Sequence, residues 1–290
     1  MSDYIIMTDS SCDLPADLAD KMELSVLPLY LDVDGQRYAN YLDEREIAFS
    51  EIYAKLRTKC PAKTSAVNVN DFMEPMEAAL AAGRDILYIG FSSGLSSTYD
   101  AGAMAAREMG ERYPDRKIYT VDSLCASMGQ GLMLYLAWQQ KQQGRTIEEV
   151  RDYVEANKLH LCHWFTIDDL MFLKRGGRIS GATAIVGSML SIKPVMHVDN
   201  AGHLIKVGTA RGRKASLKAL ADHAESLGID LANQTVFISH GDCLEDANYL
   251  AEIMRTRFGV KDVVINYVGP VIGAHSGPGT VALFFLGTER

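Results

Sequence analysis

Short apolar runs alternate with longer segments of helical spacing along the first half of the chain. Tyr4–Met7 is an apolar run that ends in the polar loop Thr8-Asp9-Ser10-Ser11. Leu24–Leu31 reads as a second strand, with Asp34-Gly35 as the turn signal behind it. Glu46–Lys59 carries Ile47, Phe49, Ile52, Tyr53 and Leu56 at helical spacing. Asp71 is placed to cap a helix that runs to Ala82 and stops at Gly83. Ile86–Phe91 is a buried strand followed by the hydroxyl-rich Ser92-Ser93-Gly94-Leu95-Ser96-Ser97-Thr98, and an alanine-rich helix continues to Glu111. Ile118–Val121 ends in Asp122-Ser123, and helices follow over Ala126–Gln143 and Ile147–Asn157.

Strands that alternate with helices imply a parallel sheet in an α/β layer architecture. In such sheets ligands bind at the carboxyl ends of the strands. That rule places a ligand site among Ser10, Ser11, the Ser92–Thr98 loop and Ser123. Beyond residue 160 the pattern changes. Trp164–Thr166 reads as a strand, and Asp169–Leu173 as a short helix stopped at Gly176-Gly177. Ile192–Val198 and Leu204–Thr209 flank Asn200-Ala201-Gly202, a hairpin signal. Helices Lys214–Ser226 and Leu244–Arg257 alternate with strands Thr235–Ile238, Val263–Val268 and Val281–Leu286. This half reads as α+β. The expected division is an α/β domain over 1–160 and an α+β domain over 161–290, with no floppy linker between them.

Composition narrows the functional classes. The 290 residues are 48% hydrophobic and 23% charged, which allows a large core. The net charge of −8 argues against general binding to nucleic acid or to anionic membranes, since both need clustered Lys and Arg. Five cysteines, none in a CxxC pair, argue against a disulfide framework and point to a reducing, cytoplasmic setting. Val263–Thr288 is uncharged when His275 is neutral, but Pro270, Pro278 and five glycines make it read as strand–loop–strand, not as a membrane span.

Several motifs carry candidate chemistry. Gly90-Phe91-Ser92-Ser93-Gly94 fits the G-x-S-x-G pattern between a strand and a helix, so Ser92 is a candidate nucleophile, with Asp122 or Asp242 and then His275 to complete a triad. The same serines serve equally as caps and turns, Ser96 or Ser97 at the start of the next helix. Taken together, hydroxyls at several strand ends beside a helix N-terminus make a neutral site for a carboxylate or phosphate. No nucleotide-binding glycine pattern is present. Gly273-Ala274-His275-Ser276-Gly277-Pro278-Gly279 reads as a tight loop that brings one imidazole close to a ligand. His160-Leu161-Cys162-His163 lacks a second cluster, so a helix end running into a strand is the better reading than a metal site. Arg175-Gly176-Gly177-Arg178 reads as a helix stop with two flanking cations. Arg211-Gly212-Arg213-Lys214 is the densest basic cluster, either a solvated helix start or a contact for a phosphate-bearing or acidic partner through Arg211 and Arg213. Ile179–Ile192, with Ile185 and Met189, is core or the lining of a slot for an alkyl chain.

In order along the chain, these residues resemble the DegV family of bacterial fatty-acid-binding proteins. The resemblance rests on Thr8-Asp9-Ser10-Ser11-Cys12-Asp13-Leu14-Pro15, Thr64-Ser65, Ser92–Tyr99, Asp122-Ser123, Asp168-Asp169-Leu170, Leu173–Ile179, Ile192-Lys193-Pro194 and Gly273–Gly279. It implies a two-domain fold with a fatty acid buried between the halves and no other cofactor. It implies that Thr64, Ser96, Ser93 and His275 hold the carboxylate, with Ser65 and Ser97 as further pocket residues. It also implies a separate fatty acid kinase as partner, to which the protein presents the acid before carrying acid or acyl-phosphate toward phospholipid synthesis, with no catalysis of its own. Two departures stand out: the family's TSQP loop is Thr64-Ser65-Ala66-Val67 here, without proline, and Ser97 replaces a glycine.

Overall fold

The computed structural model describes residues 3–179 and 191–290. Its first strands and helices are β1 (Tyr4–Asp9), α1 (Ala16–Lys21), β2 (Ser25–Leu27), β3 (Tyr30–Val33), β4 (Gln36–Ala39), α2 (Phe49–Arg57), β5 (Ala62–Ser65) and α3 (Val69–Ala81). Next come β6 (Asp85–Gly90), α4 (Thr98–Arg112), β7 (Ile118–Asp122), α5 (Met128–Gln142) and α6 (Ile147–Asn157). The second half holds β8 (Leu161–Thr166), α7 (Leu170–Arg175), β9 (Ile192–Val198), β10 (Leu204–Arg211), α8 (Arg213–Leu227), β11 (Thr235–His240), α9 (Leu244–Phe258), β12 (Asp262–Tyr267), α10 (Pro270–Ser276) and β13 (Val281–Leu286).

Three sheets organise these elements. A parallel sheet runs β2-β1-β6-β7, and a small antiparallel sheet runs β4-β3-β5. A mixed sheet runs β10-β9-β8-β13-β11-β12, parallel only between β11 and β12. The fold is thus α/β with a parallel first sheet and a separate mixed sheet, as the alternation of elements implies. β1 and β6 are buried along their whole length, which is why they read as continuous apolar runs.

Four differences from the sequence reading have local causes. The single strand expected over Leu24–Leu31 is two, β2 and β3, in different sheets, because Pro28 cannot donate to a ladder. The cap of α3 is Asn68, not Asp71; Asp71 is the reciprocal partner in a capping box. β5 was not expected at all, since Ala62–Ser65 lacks an apolar alternation, yet it pairs with β3. Residues 270–276, expected as a loop, form helix α10, with Pro270 at its first turn, where a missing N–H costs nothing.

One apolar cluster joins the two halves. Ile6, Leu87 and Val121 of the parallel sheet share it with Leu132 and Leu134 of α5 and with Phe165, Phe237 and Phe284 of the mixed sheet. A second cluster fills the far face of the mixed sheet against α8 and α9. Among the described residues, no helix is long and apolar enough to cross a membrane.

Candidate functional site

A cavity of about 270 Å³ opens between the mixed sheet, α10, the loops after β5 and β6 and the turn that leads into α5. Its walls are mostly apolar, with Leu29, Phe91, Phe165, Val198, Ile272 and Phe284 among them. Thr64, Ser65, Ser96, Ser97, Arg178 and His275 supply polar groups. A cavity that is apolar with a few convergent polar groups is the usual form of a small-molecule site.

Two elements that the sequence pattern did not reveal build the polar end. β5 delivers Thr64, and the last turn of α10 delivers His275. Thr64 Oγ1 and His275 Nε2 lie 2.8 Å apart, within hydrogen-bond reach. Nδ1 of the same ring is buried and has no partner among the described residues. Burial first, and the Arg178 guanidinium second, push the His275 pKa down to about 4, so the imidazole is neutral at pH 7. Gly176 packs so closely on the ring that a side chain there would collide with Nδ1.

Ser96 lies at the start of α4, where its Oγ accepts from the Thr98 amide at 3.2 Å and sits 2.9 Å from the Thr98 hydroxyl. Ser97, where the family has glycine, is the N-cap of α4, makes no side-chain capping bond and lines the cavity; its hydroxyl has no partner among the described residues. The N-terminus of a 15-residue helix thus approaches the cavity beside two hydroxyls, a favourable place for an anion. Val67 occupies the place of the family's proline and is buried in the core, while Thr64, Ser65 and Ala66 remain in the cavity wall.

The structure separates the other expected residues. Ser93 is exposed and does not line the cavity; its amide donates to Asp122 Oδ1 at 3.2 Å. Ser10, Ser11 and Ser123 are fully buried and hold loops together. Ser10 Oγ accepts from the Leu29 amide, Ser11 donates to Gln130 Oε1, and Ser123 donates to the Gly90 carbonyl. Ser92 is also fully buried, and its hydroxyl donates to the Gly202 carbonyl at 2.9 Å. His275 is paired with Thr64 instead, so the Ser–Asp–His arrangement of a hydrolase is not assembled. Arg213 is held inside an ion cluster with Asp246 and Asp168, whereas Arg211 at the end of β10 is exposed. Ile185 and Met189 lie outside the described residues. No group of His, Cys, Asp and Glu suited to a metal ion occurs among the described residues.

Polar residues of the cavity that sequence reasoning did not assign to the site include Arg178, Ser127, Ser239 and Thr280. Arg178 reads as a solvated cation beside a helix stop. In the structure its Nε donates to the Leu95 carbonyl at 3.2 Å and a terminal nitrogen to the Gly176 carbonyl at 2.6 Å. These bonds leave it as a fixed positive charge in the cavity wall. Its only sequence signal was the Arg-Gly-Gly-Arg run.

The arrangement defines a class: α/β proteins that enclose an amphiphilic cavity, anion-friendly at one end, between a parallel and a mixed sheet. Comparison with known proteins gives the particular family. A family model described as "Uncharacterised protein, DegV family" matches residues 4–288, and the chain belongs to that family. A DegV domain-containing protein of Clostridium perfringens is 45% identical over 290 residues, covering 100% of this chain and 99% of the relative. A solved DegV family protein from Thermus thermophilus, described by its fatty acid binding, is 29% identical and superposes with a TM-score of 0.87 over 98% of this chain and 99% of that one. The fatty acid kinase (Fak) B3 protein of Streptococcus pneumoniae, loaded with linoleic acid, has the same fold: TM-score 0.85 at 21% identity, covering 99% of each chain.

Proposed function

We propose that this protein binds one long-chain fatty acid, with the tail in the apolar cavity and the carboxylate at the Thr64–Ser96–His275 end. The observation that carries this is the Thr64–His275 pair in the wall of a mostly apolar cavity. A hydroxyl, a neutral imidazole and a helix N-terminus orient a carboxylate through hydrogen bonds and leave its oxygens accessible to a partner. Each buried methylene contributes about 0.8 kcal/mol, so a long chain gains on the order of 10 kcal/mol before ordering costs are subtracted. Tail burial supplies the affinity, and the polar end supplies the orientation. The fatty acid binding described for the Thermus thermophilus relative supports the ligand class.

The finer reading is that the protein is a cytoplasmic carrier without catalysis of its own. A separate fatty acid kinase moves the γ-phosphoryl group of ATP onto the carboxylate oxygen and releases ADP. The carrier then takes acid or acyl-phosphate toward phospholipid synthesis. The Fak B3 protein of the same fold supports this reading. Arg178 is placed to meet the added negative charge, and exposed Arg211 is available to an acidic partner surface. The test is native mass spectrometry of the purified protein, solvent extraction of its lipid, and incubation with kinase and ATP. A fatty acid bound one-to-one that gains a phosphoryl group only when both are present is the expected result. A protein that carries no lipid and takes up no added fatty acid overturns the reading.

A further inference from the structure

Arg178 is a cation in the cavity wall without a counter-charge. Its bonds among the described residues go to neutral carbonyls, those of Leu95 and Gly176. Residues 180–190 contain no Asp or Glu. The neighbouring His275 ring is neutral at pH 7. A cation in a mostly apolar wall is costly unless an anion meets it, and here the anion has to come with the ligand.

The contacts of Arg178 place it between two sets of polar groups. Its Nη1 bonds the carbonyl of Gly176, the residue that packs on the His275 ring. Its Nε bonds the carbonyl of Leu95, two residues before Ser97. The guanidinium therefore spans from the Thr64–His275 pair to the loop that starts α4. These groups lie at two depths. Thr64, Ser96 and His275 are half-buried, whereas Ser97 is exposed and still lines the cavity. A carboxylate seated on the half-buried set receives its phosphoryl group from outside, so the added phosphate projects toward the exposed edge, where Ser97 and Arg178 stand. Phosphorylation takes the head group from one negative charge to about two and supplies three strong acceptor oxygens. Attraction to a fixed cation grows with the charge it meets, and charge-assisted hydrogen bonds are roughly twice as strong as neutral ones. The half-buried set is enough to orient a carboxylate; the Ser97 hydroxyl and the Arg178 charge suit the larger anion.

We infer that the site holds the acyl-phosphate more tightly than the free acid, with Arg178 and the Ser97 hydroxyl on its phosphate oxygens. This rests on the carrier reading above and adds which of the two forms the site prefers. By linkage, a preference of a given factor draws the phosphorylation of carrier-bound acid toward acyl-phosphate by the same factor. The experiment uses stearic acid and the β-ketophosphonate in which CH2 replaces the bridging oxygen of stearoyl phosphate. Each competes against a fluorescent fatty acid bound to the intact protein, at a pH where the phosphonate is a dianion. The phosphonate should compete about tenfold better than stearic acid, the effect of one charge-assisted hydrogen bond. That ratio should fall several-fold in the Ser97→Gly protein, which carries the family's own residue at an exposed position, and to about one in the Arg178→Gln protein. If stearic acid competes and the phosphonate does no better, the inference fails while the fatty-acid reading stands. If neither competes, both fail. A tenfold preference that both variants retain overturns the assignment to Ser97 and Arg178. The ratio in the unaltered protein decides the preference even if the Arg178 variant does not fold.

Discussion

His275 shows how a residue can be visible in sequence while its state is not. Its glycine-rich surroundings mark it as a ligand-facing imidazole, but only the packing of Gly176 and the proximity of Arg178 make it buried and neutral. Gly176 has an ordinary negative φ, so its requirement is space, not backbone freedom. Gly176→Ala should therefore push the ring off Thr64. Overpacking of this kind costs about 1–3 kcal/mol, and the fall in fatty acid affinity should exceed what the loss of stability explains. Gly110→Ala, in α4 with open space around it, is the control and should raise the melting temperature slightly through helix propensity. Thermal melts and ligand titrations of the two variants check both outcomes.

Among elements, the β9–β10 hairpin forms part of the cavity wall, which its turn signal did not announce. Val198 and Leu204, on either side of its turn, line the cavity. The turn is tied to the first half of the chain by the Ser92 hydroxyl on the Gly202 carbonyl. The Arg290 guanidinium bridges the Leu124 and Asp199 carbonyls, at 2.7 and 3.2 Å. Ser92, the most attractive nucleophile in the sequence, is thus a latch for this hairpin. Gly202 sits at φ 77°, and a side chain there would meet the Ser92 hydroxyl. Gly202→Ala should destabilise the protein by about 1–3 kcal/mol and speed exchange of bound lipid, as measured by stopped-flow displacement. An unchanged exchange rate would separate the hairpin from ligand entry.

At the scale of the whole molecule, the buried junction of the two halves makes stability depend on pH. Burial, the largest influence, raises the Asp13 pKa from 3.8 to about 8, and it raises Asp9 in the same direction. A carboxyl raised in the folded state holds a proton that the unfolded chain releases, so stability falls as pH rises from about 4 to 8. His275, lowered from 6.5 to about 4, has the opposite slope, with stability falling as pH drops between those values. The two oppose each other below pH 6.5, and above it the carboxyl slope stands alone. Stability by chemical denaturation should therefore decline between about pH 6.5 and 8, by at most about 2 kcal/mol for one proton. Asp13→Asn should flatten that decline.

The amino-acid order alone determined the alternation of strands and helices, the change of grammar near residue 160 and the family resemblance. These depend on local periodicity and on short motifs, and the boundaries of α6, β9 and β13 follow the sequence reading residue for residue. Tertiary structure decided which hydroxyls face the ligand. Ser92, Ser93, Ser96 and Ser97 are alike in sequence, but strand pairing and the hairpin latch send one inward to Gly202, one to solvent and two to the cavity. β5 exists because β3 offers it a partner, and α10 because its turn packs against α2, α7 and β5. The Ser127–Ser239 pair joins residues 112 apart, a contact that no local pattern encodes. Long-range packing assigns direction to a side chain, and direction separates a cap from a binding group.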